Sequence, residues 1–87
     1  MARADANSDE MKAFAKELKR FEANVSGEVR RLKSRFGNVH WRDSARGRFQ
    51  SDLDQMLKGV TKAASSADPL AKSMNKKAAE LDRYLGK

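Results

Sequence analysis

From Met11 to Phe36 the large apolar residues keep a single helical line. They are Met11, Phe14, Leu18, Phe21, Val25, Val29, Leu32 and Phe36, each three or four positions after the last. Such spacing describes one face of an α-helix, and the alternation of period two that a strand requires is missing. Two successive steps of four after Phe21 make one stutter. Asn7 and Glu10 have the form of a capping box, with the Asn side chain facing the third amide of the helix and the Glu reaching back. Gly37 offers the left-handed residue that often ends a helix. The pattern predicts a helix over residues 8–36, about 44 Å long.

A second line follows. Ala45, Phe49, Leu53, Met56, Val60, Ala63, Ala67, Leu70, Met74, Ala78, Leu81 and Leu85 are again three or four apart, and Asp43 or Ser44 can cap the start. This predicts a helix over residues 43–85. Pro69 falls inside it, where the ring removes a hydrogen bond and crowds the preceding turn. The stripe keeps its phase across Pro69, so the sequence predicts a kink, or a short break recapped by Asp68 with Pro69 as first helical residue.

Two long helices joined by a short connection at about 37–43 fold back as an antiparallel hairpin. The expectation is an all-α chain with one domain over residues 1–87. Pairing outward from the turn, residue i would face residue 80−i. Helix 1 would then start near residue 72, the tail from 73 would overhang, and Gly59 would lie near Phe21, allowing close approach around the ring. A bare hairpin leaves each stripe half exposed, and 87 residues form a marginal core. There is no Cys for a disulfide, and the lone His40 cannot build a zinc site. Dimerisation into a four-helix bundle is the remaining aid, with the stripes, including Phe49, Leu53, Met56 and Val60 of helix 2, as the seam.

Charge is uneven. Of the net +7, most sits between residues 30 and 48, where Arg30, Arg31, Lys33, Arg35, Arg42, Arg46 and Arg48 stand against one acid, Asp43. A basic hairpin tip suits nucleic acid or an acidic partner surface. No recognition helix, RNP-type motif or zinc finger accompanies these cations, so the sequence favours a solvated polar face over a nucleic-acid site. No cofactor or metal is expected. His40, Asp43 and Ser44 are neighbours in a turn, which does not make a triad, and catalysis is not expected. No apolar run approaches the length needed to span a bilayer, and MARADANSDE lacks the apolar core of a secretory signal. Amphipathic stripes of this kind form bundle seams more often than membrane-surface helices.

The only Trp of the chain, Trp41, stands in the turn. It can plug the end of the helix pair, its N–H finding an acceptor, or form half of a partner groove; the two roles are compatible. The order of long helix, turn with Trp41-Arg42-Asp43, then Phe49, Leu53, Met56 and Val60 resembles the WXG-motif family, the small helical hairpins related to the early secreted antigenic target of mycobacteria. The resemblance covers roughly residues 8–85. It implies a homodimer or heterodimer with a similar chain. It further implies signal-peptide-independent export from the bacterial cytoplasm by a type VII system, or service as targeting partner of a larger toxin, with a secretion ATPase as a further contact. Two departures stand out. Asp43 replaces the motif's Gly. Tyr84 is followed only by Leu85, Gly86 and Lys87, so the family's Tyr-x-x-x-acid signal is not present. The resemblance then implies a mate that carries the signal, a member that is not exported, or a shortened sequence.

Overall fold

The structure, a computed structural model, describes residues 6–86. The first five residues of the N-terminal stretch and Lys87 of the tail lie outside the described residues. The chain forms α1 (Ser8–Gly37), α2 (Ala45–Ser65) and α3 (Ala67–Leu85), with no strand among the described residues. Its Cα envelope is 71 × 17 × 15 Å. An envelope this long and narrow is that of helices lying along one another, and α1 packs along both α2 and α3. The molecule is therefore an antiparallel hairpin, with α1 as one arm and α2 and α3 end to end as the other.

Asn7 caps α1: its Oδ1 accepts the Glu10 backbone N–H at 3.0 Å. The far end differs from expectation. Gly37 is the last residue of α1 and does not take a positive φ; Asn38 closes the helix in the right-handed region, and Val39 N–H bonds Phe36 O at 3.1 Å. These bonds from three residues back satisfy the terminal carbonyls without a left-handed residue. Gly86, at φ 74°, plays that part for α3.

The second arm breaks at Ser66, whose backbone stays in the right-handed region. Ser66, rather than Asp68, is the boundary, and Pro69 is the third residue of α3 rather than its first. The cause is local. Pro69 has no N–H for the carbonyl four residues earlier, Ser65, and its ring crowds that position. α2 ends at that residue, with Ser66 N–H turned to Ala63 O at 3.1 Å and the Ser65 hydroxyl donating to Lys62 O at 2.7 Å. Helical phase survives: Ala64, Ala67, Ala71 and Ala78 are all buried.

α1 packs chiefly along α3 and less along α2. The expected register is displaced. Lys12 Nζ meets Asp82 Oδ2 at 2.7 Å, and Phe36 stacks on Phe49 at 5.5 Å between centroids, so paired positions sum to between 85 and 94 instead of 80. The tail beyond residue 73 consequently does not overhang; Ala78 is fully buried and Asp82 half-buried against α1. The hydrogen bond from Lys12 to Asp82, together with the carboxylate charge, raises the Lys12 ammonium above its ordinary pKa. Gly59 makes no close approach either: a Cβ there would meet nothing within 4 Å, so this glycine is simply tolerated.

The α1 stripe divides in two. Met11, Leu18, Val25, Val29 and Phe36 turn partly inward, and the seam is completed by Ser8 and Ala15, both 1% exposed, and half-buried Glu22. Positions 8, 11, 15, 18, 22, 25 and 29 form an unbroken three-four heptad, the pattern that keeps one helix edge against its neighbour. Phe14, Phe21 and Leu32 lie outside that edge and are exposed.

Candidate functional site

Two features compete as the site: the turn and the uncovered apolar face. The turn is a closed aromatic cluster. Phe36 lies in the last turn of α1, Trp41 sits in the connection and Phe49 lies one turn into α2. Their centroids are 5.3–6.4 Å apart, with Phe36 and Phe49 stacked and Trp41 edge-on to Phe36. These separations suit favourable aromatic pairs. The Arg46 guanidinium lies 4.7 Å from the Phe36 ring centre, a cation–π distance, and also donates to Gln50 Oε1 at 3.0 Å. Trp41 is half-buried, so its role within the chain is that of a plug.

Asp43 ties this plug to α2. One oxygen, Oδ1, accepts both the Trp41 indole N–H at 2.7 Å and the Ala45 backbone N–H at 2.9 Å. Its backbone carbonyl takes the Arg46 N–H at 3.2 Å. Ser44 holds the position before the helix but makes no side-chain cap, so the capping chemistry falls to Asp43. A carboxylate at a helix N-terminus also meets the positive end of the helix dipole. The residue standing in place of the motif's Gly thus fixes the indole and the helix start through one atom.

A consequence can be measured. Asp43→Ala should cost about 1–2 kcal/mol, the range for losing a cap, and should loosen Trp41 by removing its acceptor. Asp43→Asn, which keeps a side-chain oxygen, should cost less than half as much. Urea unfolding followed by Trp41 fluorescence reads both; equal losses for the two variants would mean that the acceptor oxygen is not what matters.

The second feature runs along one side of the hairpin. Phe14 (52% exposed), Phe21 (55%), Met56 (51%) and Leu70 (59%) belong to it, with Leu32, Phe49 and Val60. Phe14 and Leu18 of α1 line one surface cavity with Leu70 and Met74 of α3, so both arms contribute to the same side. Scattered exposed apolar residues need no explanation, whereas exposed apolar residues grouped on one side of two helices are the kind of surface that a partner can cover. Leu53, by contrast, is half-buried within the chain.

The seven tip cations are not joined into one site. Arg31 is paired with Glu28 at 2.7 Å, and Arg46 is held on Phe36. Arg30, Lys33, Arg35, Arg42 and Arg48 are exposed, with no ion pair among the described residues. Leu57, 2% exposed, escaped the sequence reading because it is off the Leu53–Met56–Val60 rhythm. Its signal was the four-residue step from Leu53, which places it on the inner edge. Among the described residues no cluster of His, Cys, Asp and Glu could hold a metal, and no helix is long and apolar enough to cross a membrane.

A comparison with family models matches WXG100, described as proteins of 100 residues with WXG, over residues 3–84. No curated protein and no solved structure matches the chain. The family match spans both arms and the turn that carries Trp41. The chain therefore belongs to the WXG100 family of small helical-hairpin proteins associated with type VII secretion.

Proposed function

We propose that this chain is a non-enzymatic interaction protein that dimerises through its uncovered apolar face and acts as substrate, adaptor or targeting partner of a type VII-like secretion system. The observation that carries this reading is the row of Phe14, Phe21, Met56, Val60 and Leu70, each more than two-fifths exposed on a two-helix body. Covering what remains exposed of such half-buried residues is worth about 0.7–1.5 kcal/mol each, an amount a marginal 87-residue fold gains from a second hairpin. A similar hairpin, of the same or a related sequence, fits the face by length and completes a four-helix bundle.

Family membership supports the secretion context. The chain forms its dimer in the bacterial cytoplasm and then enters the export route, alone or with a mate that carries the Tyr-x-x-x-acid signal. A secretion ATPase or a larger toxin is the next partner. Trp41 acts from inside the turn, holding the tip in the shape that such a partner meets.

Light scattering on a sizing column, with nuclease-treated protein at near-physiological salt, tests the dimer. The expected mass is twice the chain's 9.8 kDa. A monomer at micromolar concentration would rule out the identical chain as mate and point to a different hairpin of similar form as the partner to seek.

A further inference from the structure

The sequence groups its cations at the tip, but the folded chain arranges several of them elsewhere. Lys33 of α1 lines a groove between the arms together with Lys58 and Lys62 of α2. Arg30 stands three residues before Lys33 and is therefore its neighbour on the α1 surface. All four side chains are exposed, and none has an ion pair among the described residues. Toward the open end Lys12, Lys72 and Lys77 each meet a carboxylate, while Lys16, Lys19 and Lys76 have no ion pair among the described residues but do not converge on one groove. One acid, Asp54, lines the groove. Residues 30–62 as a whole carry nine Lys or Arg against three acids, and one of those acids, Asp43, is committed to Trp41 and Ala45.

This groove lies away from the apolar face. Lys58 and Lys62 each come two residues after members of that face, Met56 and Val60, which is about 200° around a helix. On α1, Lys33 is about 100° around from Leu32 in the same sense. A hairpin whose apolar face is covered keeps the cationic groove open.

We propose that this groove is a sequence-blind binding track for the phosphate backbone of duplex nucleic acid. Three observations select that class. Lys33, Lys58 and Lys62 bring ammonium groups, and Thr61 and Ser65 hydroxyls, to a groove whose wall is otherwise mostly apolar, and all of these groups can donate to phosphate oxygens. Its one large apolar residue, Leu57, is 2% exposed and offers no anchor for the side chains of an acidic peptide. On α2 the cations point away from the apolar face and on α1 Lys33 lies at right angles to it, whereas a membrane-surface helix needs apolar anchors directed into the layer its cations touch. The aromatic rings near the tip are packed on one another, leaving no platform in the groove for unstacked bases, so duplex is favoured over single strand. The track is independent of the secretion reading: it uses the face that dimerisation leaves free.

The test uses the full chain and a labelled 20-base-pair duplex of arbitrary sequence, followed by fluorescence anisotropy. Four phosphate contacts predict that affinity falls about a hundredfold between 50 and 200 mM salt. The triple variant Lys33→Glu, Lys58→Glu, Lys62→Glu should lose at least about tenfold more affinity than Lys16→Glu, Lys19→Glu, Lys76→Glu, which makes the same change in net charge on exposed positions outside the groove. Circular dichroism confirms that both remain helical. Equal losses in the two triples would overturn the groove in favour of bulk charge. Failure to bind duplex, or tighter binding to polyglutamate or to vesicles of anionic phospholipid, would overturn the assignment to nucleic acid.

Discussion

Phe21→Glu with Met56→Glu should turn a dimer into a monomer while the hairpin stays helical. Both residues are about half exposed on the single chain, at 55% and 51%, so neither substitution removes a well-packed contact within it. In a symmetric dimer the same change appears on both copies, placing four carboxylates in an apolar seam. Burying an unpaired ion costs several kcal/mol even after the surroundings relax. A single such penalty already weakens association by at least about a hundredfold. Mass by light scattering across a concentration series should fall from two chains to one, with thermal stability that no longer depends on concentration. Retention of the double mass would show that this face is not the interface. Loss of helicity in the variant would show instead that the chain folds only with its mate, and the same pair of changes placed on one member of a co-expressed heterodimer separates these outcomes.

The two-arm architecture was readable because helical periodicity over thirty residues leaves no competing element, and because Asn7 and the turn around Trp41 mark where the arms begin and reverse. The division of the stripe was not readable. Ranking residues by size and hydrophobicity picked out Phe14 and Phe21, whereas the arms approach closely enough to select Ser8, Ala15, Ala71 and Ala78 at the contact. Small residues carry a weak hydrophobic signal but permit close approach, and only the heptad 8-11-15-18-22-25-29 reveals them. The register failed for a related reason. Counting symmetrically about residue 40 assumed that both helices start at the same distance from the tip. α2 starts at Ala45, and the stacked pair Phe36 and Phe49 sets the pairing instead. Asp43 was legible as a cap from its residue type; its second bond, to the indole, depended on how the turn folds. The cationic groove was hidden in the same way, since Lys33 is distant in sequence from Lys58 and Lys62 and only the displaced register brings them together.

Leu57→Ala should be the most damaging single truncation in the chain. Among the described residues Leu57 is the largest side chain buried to below a tenth exposure; the others there are five alanines and Ser8. It fills the space between α1 and α2 where the arms are less intimately packed than α1 and α3, so little else can move in to occupy the void. Buried Leu→Ala changes cost about 2–5 kcal/mol, the higher part of that range when the site cannot collapse. A domain of this size has a total stability of roughly 4–13 kcal/mol, so the loss is a large share of it. The neighbouring Met56 gives the control in kind. Met56→Ala removes a side chain of similar size that is half exposed on the hairpin, and, with both truncations made in a Phe21→Glu chain held at a concentration where it is monomeric, it should cost less than about 1 kcal/mol. Urea denaturation at a fixed protein concentration reads both as shifts of midpoint at unchanged slope. A Leu57→Ala penalty no larger than that of Met56→Ala would mean that the arms are not closed over position 57 in solution, and the groove above it would then lose its floor along with the seam.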